Sequence, residues 1–235
     1  MDHGHYSLES ARTILSFVRG QTDAVGVAYS AGKDSEVVLD LAKRFGFARI
    51  EAYHAYKVPD LKIVREFVRR AERRYGIEVR LYPWFTLSKM FRGALLMPHR
   101  AALARLPLVG QVEIEDRFRA EASISWILMG WRSSDSLSRA MILRQNGGID
   151  EKHRRAFPLH RWRRGEVFSY LKVRRIPIPE SFGRREQGGL DLHRDAVSIL
   201  RKYYPEDYRR YLEVFPYAKI YEIDAARDNE KGPEK

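Results

Sequence analysis

Val25-Gly26-Val27-Ala28-Tyr29-Ser30-Ala31-Gly32-Lys33-Asp34-Ser35 is an apolar run that breaks into a small polar loop and then starts an amphipathic segment. Val25, Val27 and Tyr29 have the branched and aromatic character of a buried strand, and Val38, Leu41, Ala42 and Phe45 recur at helical spacing directly afterwards. The stretch predicts a strand, a phosphate-sized turn and a helix. Backbone N–H groups in a helix's first turn lack intrahelical acceptors, and the aligned peptide dipoles add partial positive charge, so an anion is favoured there. Gly32 permits a tight turn and close backbone approach, Lys33 adds a mobile charge, and Ser30 and Ser35 offer hydroxyl donors. Asp34 either caps the helix or holds a magnesium ion brought in by phosphates.

A Walker A loop needs glycine, four residues, then Gly-Lys-Ser/Thr. Gly26 lies one residue too far from Gly32, and Asp34 stands where that motif needs a hydroxyl. The pattern instead resembles the Ser-Gly-Gly-Lys-Asp-Ser signature of the PP-loop ATP pyrophosphatases, with Ala31 in place of the first glycine. That resemblance implies that Ser30, Ala31, Gly32, Lys33, Asp34 and Ser35 hold the β- and γ-phosphates as a pyrophosphate leaving group, with the chemistry at the α-phosphorus.

At 235 residues the chain is one domain, or one domain with an appendage, and long enough for a substantial core. No run of about 18 apolar residues offers a membrane span, and the N-terminus lacks a secretory pattern, so a cytoplasmic protein is expected. There is no cysteine, which removes disulfides, thiolate zinc sites and thiol catalysis. A net charge of +12 fits a polyanionic partner, a positive field that draws in nucleotides, or a basic solvated surface. His3 and His5 alone assign no metal.

Along the chain, Ser7 can cap a helix whose Leu8, Ala11, Ile14, Leu15 and Val18 form one face up to Gly20. Residues 48–54 read as a second strand. Pro59 then precedes a helix with Leu61, Val64, Val68, Ala71 and Tyr75 at three-four spacing and Lys62, Arg65, Arg69, Arg70 and Arg73 on the other faces. Gly76 ends it before a third strand over 77–81, so strands and helices alternate as a parallel sheet requires. His54 falls at a strand end, the edge where such a sheet binds ligand, and is either structural or a nucleotide contact. Residues 84–111 read as a crossover with a short helix, 113–122 as a helix and 124–129 as a fourth strand.

Gly130-Trp131-Arg132-Ser133-Ser134-Asp135-Ser136-Leu137-Ser138-Arg139 follows that strand, so Arg132 and Arg139 can converge on an anion while Asp135 and Ser136 start a helix. Further on come Pro158-Leu159-His160-Arg161-Trp162, Glu166-Val167, Tyr170-Leu171 and Ile176-Pro177. These two segments resemble the Gly-x-Arg-x-x-(Asp/Gln)-Ser-x-x-Arg and Pro-(Leu/Ile)-x-x-Trp stretches of the phosphoadenylyl sulfate (PAPS) reductase and ATP sulfurylase branch. Similar reductase-like proteins occur in phage and prophage genomes, which would place this one in a host cytoplasm. The resemblance runs from about Asp23 to Pro179. It departs at His54-Ala55-Tyr56, where sulfonucleotide users often carry Asp-Thr-Gly. Trp162, Val167 and Leu171 read as core, and Arg154, Arg155, Arg161, Arg163 and Arg164 as a basic cluster for nucleic acid, for a small anion or for solvent.

The expected fold is a doubly wound, mainly parallel α/β domain of the PP-loop, adenine nucleotide alpha hydrolase-like kind over residues 1–180, with a helical C-terminal extension over 181–227 and a disordered tail over 228–235. Gly183, Gly188 and Gly189 suggest a mobile loop, and Phe215 and Tyr217 should dock the extension. The resemblance implies that ATP or an adenylyl sulfonucleotide, with Mg2+, is bound by Ser30 to Ser35, His54, Gly130, Asp135 and Ser136. Lys33, Asp34, Arg132 and Arg139 are the candidate catalytic residues. Reductases of this branch attack sulfur with a C-terminal cysteine, absent here, so reduction is not expected. The alternative is a non-catalytic nucleotide- or nucleic-acid-binding module of a phage or nucleic-acid modification system. A partner subunit or a second copy completes the expected partners.

Overall fold

The computed structural model describes residues 3–177 and 194–222. In chain order these form α1 (His3–Gln21), β1 (Ala24–Ala28), α2 (Lys33–Phe45), β2 (Arg49–Tyr56), α3 (Lys62–Tyr75), β3 (Val79–Pro83), α4 (Leu87–Arg92), α5 (Ala101–Ala104), α6 (Gln111–Ala122) and β4 (Trp126–Leu128). Then follow α7 (Leu137–Gln145), β5 (Ile149–Asp150), β6 (Arg155–Ala156), α8 (Arg164–Val173), α9 (Arg194–Tyr203) and α10 (Pro205–Val214). Gly183, Gly188 and Gly189 and the tail over 228–235 lie outside the described residues. The described chain parts into two compact units, 3–55 with 68–82 and 115–177, and 56–67 with 83–114 and 194–222.

The first unit carries a six-stranded sheet in the order β3-β2-β1-β4-β6-β5. β1 runs parallel to β2 on one side, with Val27 opposite Ala52, and to β4 on the other, with Val25 opposite Trp126. β6 continues parallel to β4, and β5 closes the edge antiparallel. The chain leaves β1 towards β2 and later returns to β1's other flank as β4. β1 and β4 therefore bound the topological switch point, where an open α/β sheet has its crevice.

Local chemistry accounts for the elements around that point. α2 carries Asp34 and Glu36 in its first turn and Lys43 and Arg44 in its last, matching its dipole, and it stops at Gly46 in the left-handed region (φ 83°). Val25 and Val27 of β1, Val37, Val38, Leu39 and Ala42 of α2, Ile127 and Leu128 of β4 and Val167 and Leu171 of α8 are buried together with Trp162. Asp40 on α2 accepts from Tyr170 Oη at 2.7 Å and Arg174 Nε at 2.9 Å, fixing α8 against α2. Gly26 is required by close approach: a Cβ there would lie 2.3 Å from Ile124 Cδ1 and 2.6 Å from Phe118 Cε1.

Several expected boundaries move. α1 runs through Ser7 back to His3, so the helix begins ahead of the expected cap. The fourth strand narrows to Trp126–Leu128, and the β5–β6 hairpin, two residues per strand, is too short to leave a periodic signal. In the second unit, Asp207 on α10 accepts from the backbone N–H of Lys62 at 2.7 Å and of Ile63 at 2.8 Å, capping α3 from far along the chain. Within the same unit, Phe215 is buried against Phe91, and the exposed Tyr217 donates its backbone N–H to the Leu96 carbonyl. Among the described residues no helix is long and apolar enough to cross a membrane.

Gly26→Ala should destabilise the protein by about 1–3 kcal/mol through overpacking against Phe118 and Ile124. Urea unfolding measures this, and a neutral result would mean both side chains swing aside freely.

Candidate active site

The loops leaving β1 and β4 meet at the switch point. Ala31 sits in the left-handed region at φ 60°, which turns the chain so that Gly32, extended at φ −95° and ψ 167°, begins α2. Gly32 contributes no side-chain cap, so the helix entrance presents backbone N–H groups. Ser35 Oγ donates to the Gly32 carbonyl at 2.8 Å and Ser30 Oγ lies 3.3 Å from Ser35 Oγ, so the two hydroxyls brace the turn. From the other loop, Gly130 lies so close that a Cβ on it would be 3.1 Å from both the carbonyl carbon and the Cβ of Asp34.

Charges alternate across the junction. Lys33 Nζ lies 2.9 Å from Asp34 Oδ2, Asp34 Oδ1 is 3.1 Å from Arg132 Nε, and Arg132 Nη2 is 2.6 Å from Asp135 Oδ1. Asp135 Oδ2 also accepts from the Arg132 backbone N–H at 3.0 Å and from Arg139 Nη1 at 2.9 Å. Ser136 caps α7 by accepting from the Arg139 N–H. Arg132 is only 5% exposed, yet its Nη1 has no hydrogen-bond partner among the described residues; nor do its Nε and Asp34 Oδ1, which are close without being aligned. A buried guanidinium with an unused donor is poised for a further anion.

A surrounding layer holds these groups in place. The Arg139 guanidinium lies 5.0 Å from the centre of the Trp131 ring, which packs on Phe157 at 5.3 Å. The Ser133 N–H donates to the His160 carbonyl at 2.9 Å, and Ser134 Oγ donates to the Trp162 carbonyl at 3.4 Å. His160 is buried with Nδ1–H directed at the Phe157 carbonyl, and its ring rests on Gly148, where a Cβ would come within 2.8 Å. Burial, and then the charge of Arg161, push the His160 pKa below its usual value against the opposing pull of that carbonyl. Beneath the loop, Glu36 is buried and accepts from Tyr29 Oη at 2.7 Å, with Arg70 Nη2 at 3.3 Å and Tyr75 Oη at 3.4 Å. Burial and this carboxylate push the Tyr29 pKa up, keeping the phenol protonated as the donor.

The structure thus gathers Ser30, Ala31, Gly32, Lys33, Asp34 and Ser35 with Gly130, Arg132, Asp135, Ser136 and Arg139. His54 touches the start of the same loop: it is buried, with Nδ1–H directed at the Tyr29 carbonyl at 3.0 Å. The five arginines around Trp162 do not form one patch, because Arg155 is held by the buried Glu115 at 2.8 Å, leaving Arg154, Arg161, Arg163 and Arg164 on the surface, with Arg164 5.5 Å from the centre of the Phe168 ring. Glu36 and His160 were missed as supports, since their partners are set by tertiary packing rather than by local spacing. Among the described residues no group of three or more His, Cys, Asp or Glu could hold a metal by itself.

The phosphoadenosine phosphosulfate reductase domain matches residues 24–185. The chain belongs to this family. No curated protein matches it in sequence. Among solved structures, the NH3-dependent NAD synthetase of Campylobacter jejuni is 16% identical, with 100% of this chain and 99% of that chain covered at a TM-score of 0.50. The PAPS reductase of Candida auris, in a phosphate complex, is 16% identical over 76% of this chain and 87% of that one, also at 0.50. The FMN adenylyltransferase of Candida glabrata, in complex with ATP, is 16% identical over 79% of this chain and 61% of that one, at 0.54. These likenesses establish the fold of this PAPS reductase domain protein: a mostly parallel α/β sheet with flanking helices and helices at the C-terminal end.

Two tests follow from the site's build. Ala31→Gly should raise stability by about 1 kcal/mol by relieving a left-handed alanine, read by urea unfolding, whereas a loss would mean the turn is not strained. Because the folded state holds His160 below its unfolded pKa of 6.5, the unfolded chain binds the extra proton, so stability is full above about pH 6.5 and falls as pH drops through the folded value. His160→Gln should flatten that acid slope, and an unchanged slope would reject the assignment.

Proposed function

We propose that this PAPS reductase domain protein binds ATP or a related adenylyl nucleotide and acts at the α-phosphorus, as a nucleotidyl transferase or ATP pyrophosphatase, in the cytoplasm. The observation that carries the reading is the buried Arg132 guanidinium with its unused Nη1 donor, beside the open N-terminus of α2. Family membership supports an adenylyl nucleotide, and one protein sharing the fold is an adenylyltransferase in complex with ATP.

In this reading Ser30, Gly32, Lys33 and Ser35 take the β- and γ-phosphates, with the α2 N–H groups and the lysine as donors. An acceptor nucleophile attacks the α-phosphorus, the bond to the bridging oxygen breaks, and its electron pair leaves on pyrophosphate. Lys33 offsets the charge gathering on that leaving group, while Arg132 and Arg139 offset the charge on the oxygens of the reacting phosphorus. Asp135 is a positioning residue, because it orients both arginines. His54, Gly130 and Ser136 shape the nucleotide side of the crevice. Asp34 offers one buried carboxylate oxygen, the hard ligand that magnesium takes alongside phosphate oxygens, and magnesium bound there would neutralise phosphate charge. The 235 residues hold no cysteine, so thiol attack on a sulfonucleotide would need a thiol from another molecule.

Thermal unfolding with magnesium and ATP, adenylyl sulfate or PAPS tests the reading. Ligand at about 100 times its Kd should stabilise the wild type by about 2.7 kcal/mol, and Lys33→Ala should lose the shift. Absence of any shift with all three nucleotides would reject it.

A further inference from the structure

We propose that the second unit carries a binding surface for single-stranded nucleic acid on the lobe formed by residues 87–109, a feature independent of the nucleotide reading. No Asp or Glu lies between Glu78 and Glu113, while Lys89, Arg92, Arg100 and Arg105, together with His99, all fall there. All five side chains are exposed. The lobe is a built piece of structure: Arg92 Nη1 donates to the Leu106 carbonyl at 3.4 Å, the Val109 N–H donates to Ser88 Oγ at 3.1 Å, and the Leu96 carbonyl accepts from the Tyr217 N–H at 2.8 Å.

The lobe's cations are placed differently from five arginines of the first unit. Arg70, Arg119, Arg132, Arg155 and Arg174 each face a carboxylate within ion-pair distance. Lys89, Arg92, Arg100 and Arg105 face none among the described residues. Four exposed cations with no acid near them in sequence are solvated charges on which a phosphodiester backbone can displace counterions.

Two exposed leucines decide between single strand and duplex. Leu95 is 48% and Leu108 56% exposed. Ala94 and Leu96, on either side of Leu95, both have positive φ, at 50° and 58°. Exposed apolar side chains in the same lobe as the cations offer van der Waals contact to unstacked bases, which a duplex hides, so the lobe suits a strand whose bases are free to turn inward.

Fluorescence anisotropy with a labelled oligonucleotide of about 20 nucleotides, as single-stranded DNA, single-stranded RNA and duplex DNA, tests this between roughly 50 and 200 mM salt. Single strands should bind with a log–log salt slope near −3, about −0.7 per cation engaged. Lys89→Glu with Arg92→Glu, Arg100→Glu and Arg105→Glu should weaken binding more than about tenfold and flatten the slope. The milder pair Arg100→Ala with Arg105→Ala should lower the slope by about 1.4 and guards against misfolding of the fourfold variant. Arg154→Glu with Arg161→Glu and Arg163→Glu should leave binding in place. No binding of either single strand at low salt, tighter binding of duplex, or loss confined to the Arg154 set would each overturn the proposal. The ATP thermal shift should survive in the Arg100/Arg105 variant, so failure here leaves the nucleotide reading to its own test.

Discussion

Arg132 is buried, and its guanidinium lies between Asp34, at the start of the helix that follows β1, and Asp135, in the loop that follows β4. A charge removed from water is tolerated only when paired, so the arginine obliges the two loops to stay together. Removing either carboxylate leaves a buried cation short of compensation, a loss commonly of about 3–5 kcal/mol for a buried pair. The close approach of Gly130 to Asp34 is the steric side of the same junction. The switch point is thereby a fixed distance between two loops.

Behind the junction, a second set of polar contacts keeps the framework from drifting. Glu36 gathers Tyr29, Arg70 and Tyr75, and Asp40 gathers Tyr170 and Arg174, so α2 is tied to β1, α3 and α8 by carboxylates on its own buried face. Two acids buried on one short helix are costly without such partners, and with them they set the helix's rotation about its axis. The orientation of Lys33 and of the entrance N–H groups follows from that rotation.

The strand, loop and helix over 25–45 were legible in the sequence because each rests on neighbours within a few residues: alternation, a glycine turn, then helical spacing. The same holds for Ser136, whose capping role depends on Arg139 three residues on. What escaped depends on partners far away in the chain. The acid facing Arg155 is Glu115, the cap of α3 is Asp207, and the tyrosines around Glu36 come from the residue after β1 and from the end of α3. Ala31 was legible as a departure from a glycine pattern, but its left-handed backbone was not, because alanine ordinarily avoids that region. Ser7 misled for a related reason: a good capping residue marks a helix start only if the chain before it declines to continue.

Asp34 has one further consequence. Its carboxylate already lies against Lys33 and Arg132, so any anion drawing on those two cations shares them with one belonging to the protein itself. The pocket thus contains its own competitor, always present at a fixed effective concentration. With no other anion present, the carboxylate holds both cations and no bare charge is left. For the nucleotide proposed above, that competition would lower affinity and ease release, favouring turnover over storage.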